Sequence, residues 1–162
     1  MKDICERTGI SRGGLYRHYE STEQIFLEIV NNFSDKQKNE VSAKIGQHIP
    51  AAVILEELLS GYADEMIDCE NSFSLAICEF YSNPAISKED NSVKEQYEIA
   101  KSTWAELIDY GIGTKEFHCV NPEAVFHLII FAYQGVRMYS RLMKMDTDIP
   151  AQIICEHHFT TF

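Results

Sequence analysis

Residues 11–22, SRGGLYRHYEST, set Arg12, Tyr16, Arg17 and His18 within about two helical turns, with Ser11 ahead of them and Thr22 behind. Only Leu15 and Tyr19 in this run read as inward-facing. Arginine bonds guanine edges or phosphates, while Tyr and His side chains reach phosphates. Gly13 and Gly14 each cost a helix about 1 kcal/mol relative to Ala. In exchange they remove side chains that would hold the backbone away from a surface. That combination suits a helix pressed into the major groove of DNA. It also suits a solvated helix that happens to carry two arginines, and composition alone leaves both readings open.

Other chemistry is poorly supported. His157 and His158 are adjacent, so on a helix they point to different faces, and His118-Cys119 has no partner at ligand spacing. A metal site needs about four convergent ligands, so none is expected. The five cysteines, Cys5, Cys69, Cys78, Cys119 and Cys155, are odd in number and form no CxxC. Free thiols in a reducing cytosol are the expectation. Cys, His and carboxylates are present without any catalytic motif, so no enzyme activity and no cofactor are expected.

The elements that must position the basic run are short. Residues 2–8 form an amphipathic helix, ended by Gly9 in the left-handed backbone it alone adopts freely. Gly9-Ile10-Ser11 has the length of a helix-turn-helix connection, and the Ser11 oxygen is placed to cap a second helix over residues 12–19. Ser21 with Gln24 three residues on reads as a capping box. It opens a long helix carrying Ile25, Phe26, Ile29, Val30 and Phe33, thinning through a polar run at 34–40 to Val41 and Ile45.

The order of these residues resembles the TetR family of bacterial transcriptional regulators. The match runs through Ile4, Cys5, Gly9, Ile10, Ser11, Gly14, Leu15, Tyr16, Tyr19, Ser21, Glu23, Ile25 and Phe26, and covers roughly the first 30 residues. The rest of the chain is similar only in architecture. Two departures stand out. Thr22 occupies a position where the family usually has a phosphate-contacting Lys. The family also has a helix ahead of the one that begins at Lys2, so Met1 falls where an internal residue is expected. Helices shorter than about 12–15 residues are not stable alone, and Ile4, Cys5, Leu15 and Tyr19 are therefore expected to be partly uncovered. A truncated chain is the expectation, and the segment from Ile149 to the end reads as a helix cut off in mid-course.

Composition sets wider bounds. The chain has 162 residues, an apolar fraction of 45% and a net charge of −11. Residues 1–18 hold four basic side chains against two acidic, which leaves −13 for the remainder. A basic head on an acidic body fits a protein that touches phosphate at one end only. No run approaches the ~18 apolar residues of a membrane span, and a soluble, cytoplasmic protein is expected. After the break at 46–50, periodicity predicts helices over 51–69, 73–81 and 93–110, the last stopped by Gly111-Ile112-Gly113. An exposed polar loop is expected at 87–92. Asn121-Pro122 opens a helix to about residue 145 that is apolar almost all round, followed by a last helix from residue 148 with Ile149, Ile153, Ile154 and Phe159. A helix apolar on every side must be covered on every side. One face meets the core and another meets a second copy, so these two helices are expected to form a homodimer interface as a four-helix bundle.

The resulting expectation is an all-α chain: a TetR-like helix-turn-helix head over residues 1–33, then a helical ligand-binding and dimerisation domain over 34–162. The resemblance implies DNA contacts by Arg12, Gly13, Tyr16, Arg17 and His18, with Ser11 and Thr22 on phosphates. It also implies a cavity in the body, with Tyr62, Met66, Phe73, Ile77, Phe80, Trp104, Phe126, Tyr133 and Met138 as candidate lining residues, oriented by Tyr hydroxyls and His127. Such a wall suits a small apolar or aromatic ligand, although plain core packing accounts for any one of these residues. The function implied is a ligand-responsive regulator, a repressor that binds a palindromic double-stranded operator as a homodimer. The alternative is a helical small-molecule-binding or dimerisation module whose truncated head does not bind DNA.

Overall fold

Gly9 ends the first helix at φ 71° and ψ 6°, its N–H bonded to the Cys5 carbonyl at 2.9 Å. That helix, α1 (Lys2–Thr8), packs on α2 (Arg12–Tyr16), whose cap Ser11 accepts the Gly14 N–H at 3.1 Å. The chain is described by a computed structural model over residues 1–67, 73–83, 92–146 and 148–156, and every regular element there is helical. α2 is shorter than expected and stops at Tyr16. The Leu15 carbonyl accepts both the His18 and Tyr19 N–H groups, which turns the chain at 17–18 and ends a helix already weakened by two glycines. Leu15 is 5% exposed, more covered than expected, while Ile4, Cys5 and Tyr19 are half-buried.

Ser21 caps α3 (Thr22–Gly46) by accepting the Gln24 N–H at 3.2 Å. Gln24 reaches back to the Glu20 N–H at 2.8 Å, one residue ahead of the cap. The expected head boundary at residue 33 falls inside this helix, which runs on into the body and packs on α6 (Ser92–Gly113). α4 (Ala51–Ile67) begins after Pro50, a residue with no side-chain acceptor to offer its first N–H groups. Glu116 supplies one from 65 residues away, accepting from Ala51 at 3.0 Å and from Ala52 at 3.1 Å. Burial alone would raise the Glu116 pKa, but those two N–H bonds and the Thr114 hydroxyl hold it below the usual carboxylate value.

α5 (Phe73–Tyr81) has the bounds its pattern predicts. α6 does not stop at Gly111 but continues to Gly113. Gly111 is a packing residue, since a Cβ there would overlap the Phe117 ring, and the turn is made by Lys115 at φ 64°. Asn121 opens α7 (Pro122–Leu142), accepting the Glu123 and Ala124 N–H groups at 3.0 and 3.3 Å. α7 ends three residues earlier than expected, at an extended Met143, and α8 (Ile149–Glu156) packs on α4 and α7.

The main core joins α3, α4, α6 and α7 through Val41, Ile54, Leu55, Trp104, Leu107, Ile108, Val125, Phe126 and Ile129. A smaller cluster of Met66, Tyr133 and Val136 packs against Ile149 and Ile153. α7 buries only part of its circumference. Leu128, Phe131, Met138, Tyr139 and Leu142 are exposed on the other side. Among the described residues, no helix is long and apolar enough to cross a membrane. Cys5, Cys78 and Cys119 are free thiols. Ser92, the end of the loop predicted at 87–92, opens α6 instead, while residues 87–91, Cys69, His157, His158 and Phe159 lie outside the described residues, as do the side chains of Ile154 and Cys155.

Candidate functional site

Two places gather the residues that the sequence singles out. The first is the outer face of α2 and the turn behind it. Arg12, Gly13, Arg17 and His18 are exposed, and Tyr16 is 52% exposed, beside the exposed Ser11 and Thr22. Neither Arg12 nor Arg17 forms an ion pair among the described residues, where the head's own pair is Lys2 with Glu6 at 3.8 Å. Leu15 and Tyr19 turn inward beneath them, and a hydrogen bond with Glu28 ties Tyr19 to α3 and raises its phenol above the usual value. The face thus presents two free guanidiniums, a phenol and an imidazole on a backbone thinned by Gly13. Thr22 stands beside Glu23, whose carboxyl is held low by its own backbone N–H and by Ser21.

The second place is a half-open cavity of about 690 Å³ lined by residues of α3, α4, α5, α6 and α7. Of the candidate lining residues, Tyr62, Phe73, Ile77, Phe126 and Tyr133 stand in its wall. The other four are elsewhere. Trp104 is buried in the core and meets the wall residue Tyr62, its indole N–H donating to the Tyr62 hydroxyl at 3.4 Å and the two ring centroids 6.1 Å apart. Met66 is buried in the smaller cluster, and Met138 is 60% exposed on the outer face of α7. Phe80 turns toward the head instead. Its ring lies 4.5 Å from that of Phe26, and both border a groove of about 350 Å³ shared with Ile4 of α1.

Several wall residues escaped the sequence reading. Gln37 lies in the polar run that looks solvated, Gly61 sits in an apolar helix, and Tyr97 reads as core. Glu65 joins them, accepting the Tyr133 hydroxyl, which in turn accepts from Arg137. Arg137, only 4% exposed, lies 3.6 Å from Glu65 and ties α7 to α4. His127 is not in the wall. Its Nε2 lies 2.5 Å from the Tyr97 hydroxyl, so it positions that ring from behind. Burial pushes the Tyr62 hydroxyl up, with bonds from Trp104 and Gln37 opposing it, and burial also raises Tyr81. The Tyr81 hydroxyl and Gln96 amide nitrogen are buried in this wall without a hydrogen-bond partner among the described residues. The result is an aromatic enclosure with a few polar handles, the usual make-up of a small-molecule site.

Comparison with known proteins bears on the head first. Residues 1–29 match the model of a family described as bacterial regulatory proteins, tetR family. The chain is also similar to YfiR of Bacillus subtilis (strain 168), named as an uncharacterized HTH-type transcriptional regulator, at 25% identity over 125 residues. That match covers 76% of this chain and 60% of the relative, so the chain spans about three fifths of the length of the protein it resembles. No solved structure gives a significant match.

Proposed function

We propose, from the match of residues 1–29 to the tetR family model and the similarity to an HTH-type transcriptional regulator, that the chain is a DNA-binding transcriptional regulator. In this reading it is a repressor that grips a palindromic operator as a homodimer and lets go when a small ligand fills the body cavity. The observation that carries the reading is the capped α2 with Arg12 and Arg17 exposed, and outside any ion pair among the described residues, beside Tyr16 and His18. Two copies of that face, set about one DNA turn (~34 Å) apart, would read the two halves of a palindrome. The exposed stripe on α7, together with α8, supports a second copy as the partner.

The ligand response follows from where α5 lies. One of its faces gives Phe73, Ile77 and Tyr81 to the cavity, and the other gives Phe80 to the groove shared by Phe26 and Ile4. A ligand that pushes on the first face moves the second, and with it the base of the head. Couplings of this kind are typically about 1–3 kcal/mol.

Fluorescence anisotropy with labelled duplexes from the DNA flanking the gene tests the proposal. Arg17→Ala and Arg12→Ala are each expected to lose about 1–3 kcal/mol of operator binding. Affinity unchanged in both variants would remove α2 as the reading element. Absence of binding to any duplex would favour a ligand-binding module without DNA activity.

A further inference from the structure

Three glutamates stand in the cavity wall, and no Lys, Arg or His does so among the described residues. Glu57 and Glu65 come from α4 eight residues apart, which places them on one helix face. Gly61 lies midway between them, and a Cβ there would meet nothing within 4 Å, so bare backbone separates the two carboxylates. Glu40 adds the third from α3.

Each carboxylate has a cation outside the wall. Lys44 pairs with Glu57, Lys36 lies 3.8 Å from Glu40, and Arg137 lies 3.6 Å from Glu65. The first two pairs are partly or largely exposed, where such pairs are worth about 0–1 kcal/mol, so a cation entering the cavity can displace either lysine at little cost. Among the described residues, Glu65 is engaged through Oε2 alone. Aromatic faces stand with these acids: the Tyr62 and Tyr133 rings lie 4.7 Å apart, and those of Tyr97 and Phe126 lie 5.2 Å apart. Rings and carboxylates together attract an organic cation, by the ring quadrupole and by charge. The same wall repels an amphipathic anion, and a neutral apolar ligand would desolvate the acids without compensating them.

Resting on the reading of this cavity as the effector site, we propose that it selects lipophilic organic cations, of the aromatic or alkyl ammonium and phosphonium class, over anions of the same shape. The test uses the intact chain with tetraphenylphosphonium, tetraphenylborate and neutral triphenylphosphine oxide. Binding is read from the fluorescence of Trp104, the single Trp, which touches the wall through Tyr62. The phosphonium is expected to bind at least about tenfold more tightly than the borate, with the gap narrowing in high salt. Glu40→Gln and Glu57→Gln, both at water-exposed side chains, are expected to weaken the cation several-fold and to leave the neutral probe bound no more weakly than before. Glu56→Gln, an exposed residue outside the wall, is expected to change neither. Equal or tighter binding of the borate overturns the selectivity and leaves the effector cavity standing. So does a Glu56→Gln effect as large as that of Glu57→Gln, because the acidic body would then account for the preference. If no probe binds a chain whose helical circular dichroism is intact, the effector reading fails along with the proposal.

Discussion

Thr22 sits at the first position of α3, next to the exposed turn that carries Arg17 and His18, and offers a hydroxyl where the family that the head resembles usually offers an ammonium. Its own hydroxyl lies 3.4 Å from Glu23, a carboxylate that a phosphate approaching this helix end must also meet. Thr22→Lys is therefore expected to tighten operator binding and to steepen the salt dependence by about one unit per head. A salt titration of the variant against the parent checks this, and an unchanged slope would mean that no phosphate passes α3 here. Glu116 makes a second residue-scale case. Its folded pKa is depressed, so its contribution to stability is complete above the usual carboxylate value of about 4.3 and is lost as pH falls through the lower folded value. Glu116→Gln is expected to cost about 1 kcal/mol at neutral pH, as losing a helix cap does. It should also flatten the acid limb of stability against pH, both measurable by urea unfolding.

At the scale of elements, local grammar was legible and distant contacts were not. Gly9, Ser11, Ser21 and Asn121-Pro122 each solve a problem that their neighbours pose, the unpaired N–H and C=O groups of a helix end, and each does so in the structure. The bounds of α5 followed from the same signals. Gly111 looked like a stop for α6 because a sequence shows a glycine's freedom and not the ring that needs its missing Cβ. Phe117 needs it. Gly111→Ala is accordingly expected to destabilise by about 1–2 kcal/mol, the overpacking strain exceeding the gain in helix propensity. Gly61→Ala, with open space where the Cβ would go, is expected to stabilise by about 0.5–1 kcal/mol. Thermal melts of the pair decide it, and the same sign for both would contradict the packing role of Gly111. The candidate cavity was half legible for the same kind of reason. Periodicity put Phe80 and Met138 on apolar helices but could not tell which apolar face looks inward, so one went to the head and the other outside.

For the whole molecule, the exposed face of α7 is the feature that a single chain leaves unexplained. Leu128, Phe131, Gly135, Met138 and Leu142 follow the alternating three- and four-residue spacing of a coiled-coil seam. Exposed apolar stripes of this kind mark interaction surfaces, and a second copy is the occupant that the proposed palindromic operator would require. Met138→Glu is expected to shift the chain to a monomer in sedimentation velocity and to weaken operator binding with it. A parent chain that sediments as a monomer at micromolar concentration would contradict the dimer. The charge layout belongs to this scale too: +2 over residues 1–18 against −13 over the remainder is expected to restrict phosphate contact to α2 and its flanks.

Phosphate contact by the head is what every other part of the regulator reading depends on, and the salt dependence of operator binding tests it most directly. With Arg12 and Arg17 engaged in both copies of a dimer, log K is expected to fall linearly with log salt at a slope of about −4. A flat dependence, or no binding to any flanking duplex at low salt, would contradict it.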